Sequence, residues 1–321
     1  MIMAPEAVQD KQGASVAPAQ RLQATMAAVR VAFTWFGIRK TLTTSQRAQA
    51  AEAFGAEEDC LAASKKLLDT RADAYKAVTS IRNRIRAYWW EMSLPYPEAG
   101  VRLVRQDQVA LFNDQMTRLR QELVEAVGRL DRQLPDLKQA ARQRLGNLYN
   151  PADYPSSLEG LFAVDWDFPS VEPPSYLMQL NPALYEEERR RMVTRFEEAV
   201  RMAEEAFTAE FRRLVSHLVD RLAGTEDGKP KVFRDSVVGN LGEFFERFRL
   251  LNVRSNADLE ALVQTAQRAL KGAGAQRLRE DSGLRTKIAS QLSAVQASLD
   301  GLLVDPPRRR VLRPSRAGKG P

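Results

Sequence analysis

The fold class is decided by residues 181–222, which read NPALYEEERRRMVTRFEEAVRMAEEAFTAEFRRLVSHLVDRL. Asn181 followed by Pro182 is typical of a helix start, because asparagine caps free backbone N–H groups and proline suits the first helical position. The apolar residues then recur every three or four positions: Val193, Phe196, Val200, Ala203, Phe207, Phe211, Leu214, Leu218 and Leu222. This spacing predicts one amphipathic helix whose apolar stripe must pack against another element.

A second stretch, residues 106–148, has the same period and nearly the same length. Its apolar stripe consists of Phe112, Met116, Leu119, Leu123, Val127, Leu130, Leu134, Leu137, Ala141 and Leu145. Pro135 lies inside it and should bend or break the helix, because proline lacks an N–H and crowds the preceding turn. Two amphipathic helices of matched length predict a long antiparallel, coiled-coil-like helical pair.

Two short segments alternate with a period of two and predict strands, at residues 29–36 and 101–105. Together they should form a small two-stranded β element. The remaining periodic segments predict helices at 44–54, 58–92, 234–251, 256–271 and 282–303, the last three forming a C-terminal helical cluster. The sequence therefore predicts a mainly α fold built on the helical pair.

The same patterns divide the chain into three regions. Residues 1–20 are small and polar and are expected to be disordered. Residues 21–304 are expected to form a single elongated helical domain. Its residues 149–180 are rich in proline and aromatic residues, and they are expected to form an ordered acidic tip that has little regular structure and whose aromatic residues are packed. Residues 305–321 are expected to be a disordered basic tail.

Charge is sorted along the chain, although the net charge is only +7. Residues 145–188 contain eight carboxylates and neither lysine nor arginine, whereas residues 305–321 carry a net +5. A sorted distribution of this kind steers oppositely charged partners to different parts of a molecule. The acidic tip should therefore repel a polyanion and attract a basic protein surface.

The sequence lacks the sets of residues that usually carry out catalysis. His217 is the only histidine and Cys60 the only cysteine, so the two together cannot supply a zinc site. A carboxylate site for Mg²⁺ from Asp165, Asp167 and Glu172 is open as an alternative, but an acidic solvated surface explains them more simply. Because phosphate-binding glycine loops are also missing, we expect no catalytic residues, no metal, no cofactor and no enzymatic activity.

Three features favour a cytoplasmic protein. Apolar runs approaching the ~18 residues of a membrane span are missing, as is a signal-peptide pattern at the start. The single cysteine fits a reducing compartment. We therefore expect no membrane association.

Two surfaces are candidates for binding. The first combines Arg82 and Arg86, which share a helix face near Trp89 and Trp90, with arginines of the basic tail: Arg308, Arg309, Arg310 and Arg313. Arginine with aromatic residues is typical of nucleic-acid grooves, although the tryptophans fit a helical core better than a stacking surface. The second candidate is the acidic tip, where Asp165, Trp166 and Asp167 could contact a basic protein partner.

Three motifs carry a resemblance to a known family: TWFGIRK from Thr34, PYPEAGVRL from Pro95 and VFRDSVVGNL from Val232. Over about residues 25–304 the chain resembles an uncharacterised family of bacterial, plasmid and phage proteins annotated only as a domain of unknown function. The resemblance implies a largely helical fold and, for some members, genes near AAA ATPases of the MoxR type and von Willebrand A domain proteins. It implies no catalytic residues.

These observations favour a non-enzymatic helical interaction or scaffold protein, an accessory of a mobile element or of an AAA ATPase system. The expected partner is a protein, which the sequence does not identify. The alternative is a nucleic-acid-binding accessory protein that uses its arginine-rich surfaces and basic tail. Self-association into a homo-oligomer is left open by the sequence.

Overall fold

A computed structural model describes residues 16–223, 225–226, 229–230 and 235–304. Their helices are α1 Pro18–Thr25, α2 Thr44–Phe54, α3 Asp73–Glu91, α4 Val109–Arg132, α5 Leu134–Leu145, α6 Tyr176–Leu180, α7 Pro182–Ala223, α8 Asp235–Leu251, α9 Ala257–Leu270, α10 Ala275–Glu280 and α11 Ser282–Val304. Their strands are β1 Met26–Trp35, β2 Arg39–Thr41, β3 Ser64–Lys66, β4 Ser93–Pro95, β5 Val101–Arg105, β6 Phe162–Asp167, β7 Thr225–Glu226 and β8 Lys229–Pro230. The predicted mainly α fold is confirmed.

The chain forms two compact units, and each is described by itself. Among the described residues, the sheet unit is Gln23–Arg195, and the helical unit comprises those before Gln23 together with those from Phe196 onward. The expected single domain over 21–304 stays a prediction. Helix α1 begins at Pro18, within the stretch 1–20 expected to be disordered, while residues 1–15 and the basic tail 305–321 lie outside the described residues.

The sheet unit is built on an antiparallel sheet with strand order β4-β5-β1-β6. The predicted pairing of the 29–36 and 101–105 strands is confirmed, with Ala28 opposite Leu103. The expected two-stranded element is nevertheless too small, because β4 and β6 extend this sheet on its two sides and β2 pairs separately with β3. Strand β6 was missed because its short alternation lies in a proline-rich segment that we expected to have little regular structure.

The predicted helix over 58–92 is only partly correct, because helix α3 begins at Asp73. Residues Glu58–Cys60 form a 3-10 turn and residues Ser64–Lys66 form β3. The composition of this stretch favours helix, but its pairing with β2 overrides a weak local preference. Helix α2 begins at a capping box, in which Thr43 and Gln46 bond to each other's backbone N–H.

Helices α3 and α4 pack against each other, and α4 packs on β6. The buried side of α3 consists of Tyr75, Val78, Ile81, Ile85 and Trp89. These residues join the stripe of α4 and Val29, Val31 and Val164 of the sheet in one hydrophobic core. The core therefore lies between one face of the sheet and the two helices.

The predicted break at Pro135 is confirmed. Helix α4 ends at Arg132, and α5 begins at Leu134 with Pro135 in its first turn. Proline is tolerated in a first turn because the backbone N–H groups there have no helical acceptor. The 106–148 stretch therefore forms two helices.

The long helix predicted over 181–222 is confirmed as α7, with the side chain of Asn181 accepting from Leu184 N at 3.1 Å. A long antiparallel pair between this helix and the 106–148 stretch is not confirmed. The stripe of α4 packs on α3 and β6, whereas the rings of Phe207 and Phe211 contact α8.

The helical unit has an aromatic core between α7 and α8. Phe211 stacks on Phe244 with ring centroids 5.1 Å apart, and Phe207 meets Phe248 edge to face at the same distance. The three predicted C-terminal helices are present as α8, α9 and α11, with Asn256 capping α9 through Leu259 N. Helix α11 packs on α9.

Among the described residues, none of the helices is both long and apolar enough to cross a bilayer.

The aromatic core gives a direct test of packing. Replacing Phe207→Ala should lower the free energy of unfolding by on the order of 3–5 kcal/mol, because the truncation leaves a cavity against Phe244 and Phe248. Urea unfolding of the full chain, followed by circular dichroism, measures this loss. The matched control is Arg213→Ala, an exposed position on the same helix, which should change stability by less than about 0.5 kcal/mol. Equal effects of the two variants would contradict the packing of α7 on α8.

Candidate partner-binding surface

Strand β6 reads Phe162-Ala-Val-Asp-Trp-Asp, and its alternation sorts the side chains onto two faces. Phe162 and Val164 are buried in the core, where the Trp35 ring meets Phe162 edge to face at 4.9 Å. On the opposite face Asp165 and Asp167 are exposed. The strand is thus held by its apolar side and presents its carboxylates outward.

The structure separates the three adjacent residues that the sequence grouped as a binding site. Trp166 points to the core side, where its Nε1 donates to Asn113 Oδ1 at 3.1 Å and the Arg120 guanidinium lies 4.7 Å from its ring. Asp165 and Asp167 point the other way because neighbouring strand residues face opposite sides. Only the two carboxylates therefore belong to the open face.

Exposed apolar side chains are concentrated just after β6. Of eleven large apolar side chains exposed among the described residues, five lie within residues 168–184. We call this stretch the apolar strip; its members are Phe168, Tyr176, Met178, Leu180 and Leu184, with Leu180 77% exposed. Sequence reasoning assigned the aromatic residues of this region to packing and missed the strip. The signal that could have found it was the lack of a helical period across 168–180.

Half of the eight carboxylates in residues 145–188 are neutralised locally. Arg191 lies between Glu187 and Glu188, Arg189 pairs with Glu186, and Asp153 is paired with lysine. In the described part of the chain, ion pairs are not found for the other four: Glu159, Asp165, Asp167 and Glu172. The negative field of the region therefore arises next to β6 and the apolar strip.

A buried ion pair holds the loop that precedes β6. The side chains of Asp153 and Lys65 are 3% and 4% exposed, with Oδ2 and Nζ 2.7 Å apart. Lys40 Nζ donates to the other carboxylate oxygen at 2.6 Å, and Lys65 Nζ also donates to the Leu148 carbonyl oxygen. Sequence reasoning counted Asp153 as part of the acidic tip and placed Lys65 on a helix, so it missed this pair.

The ionisation of Asp153 follows from these contacts. Burial alone would raise the pKa of the carboxyl group, but the hydrogen bonds from Lys40 and Lys65 outweigh it and lower the pKa below its ordinary value. The carboxylate is therefore charged in the folded protein at neutral pH.

The predicted nucleic-acid surface is only partly open. The Arg82 guanidinium lies 4.4 Å from the centre of the Trp35 ring, and Arg86 is exposed. Trp89 is buried as predicted, whereas Trp90 is 56% exposed and stacks under Arg102. Arg308, Arg309, Arg310 and Arg313 of the tail lie outside the described residues. The structure therefore does not bring Arg82 and Arg86 together as two open phosphate contacts.

A basic cavity of about 430 Å³ next to the start of α3 is partly neutralised, because one carboxylate lies among its three cations. It is lined by Lys66, Arg71 and Arg144 together with Asp69. The Arg71 backbone N–H and the Arg144 guanidinium bond to Asp69 and lower its pKa to about 2. Because the carboxylate occupies these donors, the cavity is a poor site for a phosphate.

The two residues considered for catalysis belong to different units. His217 is exposed on α7, and Cys60 is an exposed free thiol. Within the described ranges, groups of three or more histidine, cysteine or carboxylate side chains that could hold a metal are not found.

Comparison with known protein families, with curated proteins and with solved structures gave no match in any of the three. The resemblance to an uncharacterised bacterial, plasmid and phage family therefore stays a prediction.

The buried ion pair can be tested by removing one partner. Replacing Lys65→Met should cost on the order of 3 kcal/mol of unfolding free energy, because the buried Asp153 carboxylate then keeps only the partner Lys40, which is half-exposed. Changing Asp153→Leu in addition should recover most of this loss. The control Lys66→Met alters the exposed neighbour in β3. A loss no larger than that of Lys66→Met would contradict the pair's structural role.

The lowered pKa of Asp153 predicts a pH dependence. Its stabilisation is fully present above the unfolded pKa of ~4 and is lost as the pH falls through the lower folded value. The difference in unfolding free energy between wild type and Asp153→Asn should therefore be constant from about pH 5 upward and shrink in acid. Urea titrations at a series of pH values measure it. A difference that grows in acid would reverse the assigned direction.

Proposed function

We propose that this chain is a non-enzymatic, cytoplasmic interaction protein that binds a protein partner through the apolar strip and the carboxylates beside it. The observation that supports this proposal is the concentration of exposed apolar side chains within residues 168–184. Exposed apolar clusters rimmed by polar groups are typical of protein–protein contacts. Tyrosine and methionine, both present in the strip, are enriched at such interfaces.

The surrounding charge favours a basic protein partner over a polyanion. Residues 145–188 contain no lysine or arginine, and Asp165, Asp167 and Glu172 are exposed and lie next to the strip in the sequence. A negative surface speeds the encounter with a positive one and repels nucleic acid. The stacking of Arg82 on Trp35 also removes one of the proposed phosphate contacts. Nucleic-acid binding is therefore the weaker of the two functions.

The cellular role follows from the resemblance alone. We propose that the protein serves as an accessory of a mobile element or of an AAA ATPase system, in which a helical protein without enzymatic activity connects other components. Both the partner and the process are identified by the capture experiment below.

The experiment compares two apolar-to-acidic variants in the sheet unit. Affinity-tagged full-length chain is captured from its native host, and bound proteins are quantified for wild type, for Leu180→Asp and for Phe54→Asp. Leu180 lies in the strip, whereas Phe54 is 82% exposed at the end of α2 and serves as the matched control. The specific partner should fall about tenfold with Leu180→Asp, the loss typical of an interface side chain worth over 1 kcal/mol. It should be retained with Phe54→Asp.

Circular dichroism first shows that both variants keep their helix content. Equal capture of every protein by wild type and Leu180→Asp would contradict the strip as the binding surface. Light scattering of the purified chain tests the homo-oligomer left open by the sequence, because self-association through the strip would be lost in the same variant.

A further inference from the structure

We propose that the free edge of β6 accepts an extended basic segment of the partner, which adds to the sheet as a fifth strand. The inference rests on the proposed function, since it names the chemistry and the binding mode of the partner. Strand addition is a common way for an exposed sheet edge to recognise a peptide, with main-chain hydrogen bonds supplying affinity and side chains supplying specificity.

The edge of β6 is available for pairing. Strand β6 is last in the order β4-β5-β1-β6, and in the described structure its ladder runs to β1 alone, from Arg30 opposite Asp167 to Trp35 opposite Phe162. In an antiparallel ladder alternate residues of an edge strand point their N–H and C=O groups away from the sheet. These outward groups are the donors and acceptors that an added strand would use.

The edge is also rigid where it must receive a strand. Phe162 and Val164 are 3% and 1% exposed, so the strand is anchored in the core along its length. Trp166 extends this anchor through its hydrogen bond to Asn113. An edge that is already ordered loses little conformational entropy when a second strand pairs with it.

Charge specifies the incoming segment. Asp165 and Asp167 are two residues apart and point to the same open face. Arg30 lies opposite Asp167 on β1, but its guanidinium pairs with Glu98. On the added strand, the cross-strand partners of the two carboxylates would be basic residues that are also two apart, because opposed side chains of paired strands lie on one face. The segment that fits therefore has lysine or arginine at alternate positions.

The opposite face defines the positions between the basic residues. They would point to the side of Trp166, where the Arg120 guanidinium already lies over the ring. A second positive charge there would be repelled, so these positions should be uncharged. Carboxylates on a strand edge can also act only to prevent edge-to-edge aggregation, and the experiment below separates this role from recognition.

The probe is the acetylated, fluorescein-labelled peptide Ser-Val-Lys-Thr-Lys-Val-Ser, titrated with full-length protein and followed by fluorescence anisotropy at about 0.15 M salt. We expect saturable binding that weakens about fivefold in Asp165→Asn/Asp167→Asn, because two exposed cross-strand charge pairs are lost. The matched control Glu159→Gln/Glu172→Gln removes two exposed carboxylates of the same region and should change the affinity less than about twofold.

Two changes in the peptide test the binding mode without altering the protein. Only alternate amides of the added strand face β6. N-methylation of those amides should therefore abolish binding, whereas N-methylation of the other set of alternate amides should leave binding intact. Placing the two lysines side by side, in Ser-Val-Thr-Lys-Lys-Val-Ser, should weaken binding, because one lysine then faces Arg120. Hydrogen exchange of the full chain should slow at amides within residues 162–167 when the original peptide is bound.

Several results would overturn the proposal. They are the absence of saturable binding, equal binding of the two N-methylated peptides, and an equal loss of peptide affinity in the Asp165/Asp167 and Glu159/Glu172 double variants. Tighter binding of a peptide copying Arg308 to Arg313 would also overturn the alternate pattern and would assign the edge to the tail of a second copy. If the peptide fails while Leu180→Asp still releases the partner, strand addition is wrong and the proposed function stands.

Discussion

The central position of β1 is the constraint on which the sheet unit depends. Its backbone pairs with β5 on one side and with β6 on the other, so it joins segments that are far apart in the sequence. Its apolar face, with Val29 and Val31, closes the core under α3 and α4. Because β1 has partners on both sides, β6 becomes an edge strand, and the segment that follows it is placed at the border of the sheet.

The loop before β6 is held by contacts of a different kind. The Asp153 carboxylate forms ion pairs with two lysines. The Tyr154 hydroxyl donates a hydrogen bond to the Leu67 carbonyl oxygen, and the Asp131 carboxylate accepts one from Leu158 N. A charge that enters the interior is tolerated only when it is paired and hydrogen-bonded. These contacts attach a proline-rich stretch with little regular structure to the β2–β3 ribbon and to α4, and so allow β6 to enter the sheet in one register.

Sequence reasoning succeeded where the determinant is local and failed where it is distant. The starts of α2, α7 and α9 were predictable because Thr43, Asn181 and Asn256 cap helices through their own neighbours. The pairing of Asp153 with Lys65 has no local signature, and the residues around Lys65 have helical composition although they form a strand. The alternation of β6 was present in the sequence, but three residues on each face are too few to separate a strand from a loop.

The same alternation explains why charge counted along the sequence does not show which side chains share a face. Asp165, Trp166 and Asp167 are consecutive, yet the pleat assigns the indole to the core side and the carboxylates to the open side. A cluster along the chain therefore becomes two surfaces with opposite charge, since Arg120 lies over the indole. A strand added at this edge would meet both surfaces at once. The edge can therefore select for alternation of charge, a feature that net charge alone does not contain.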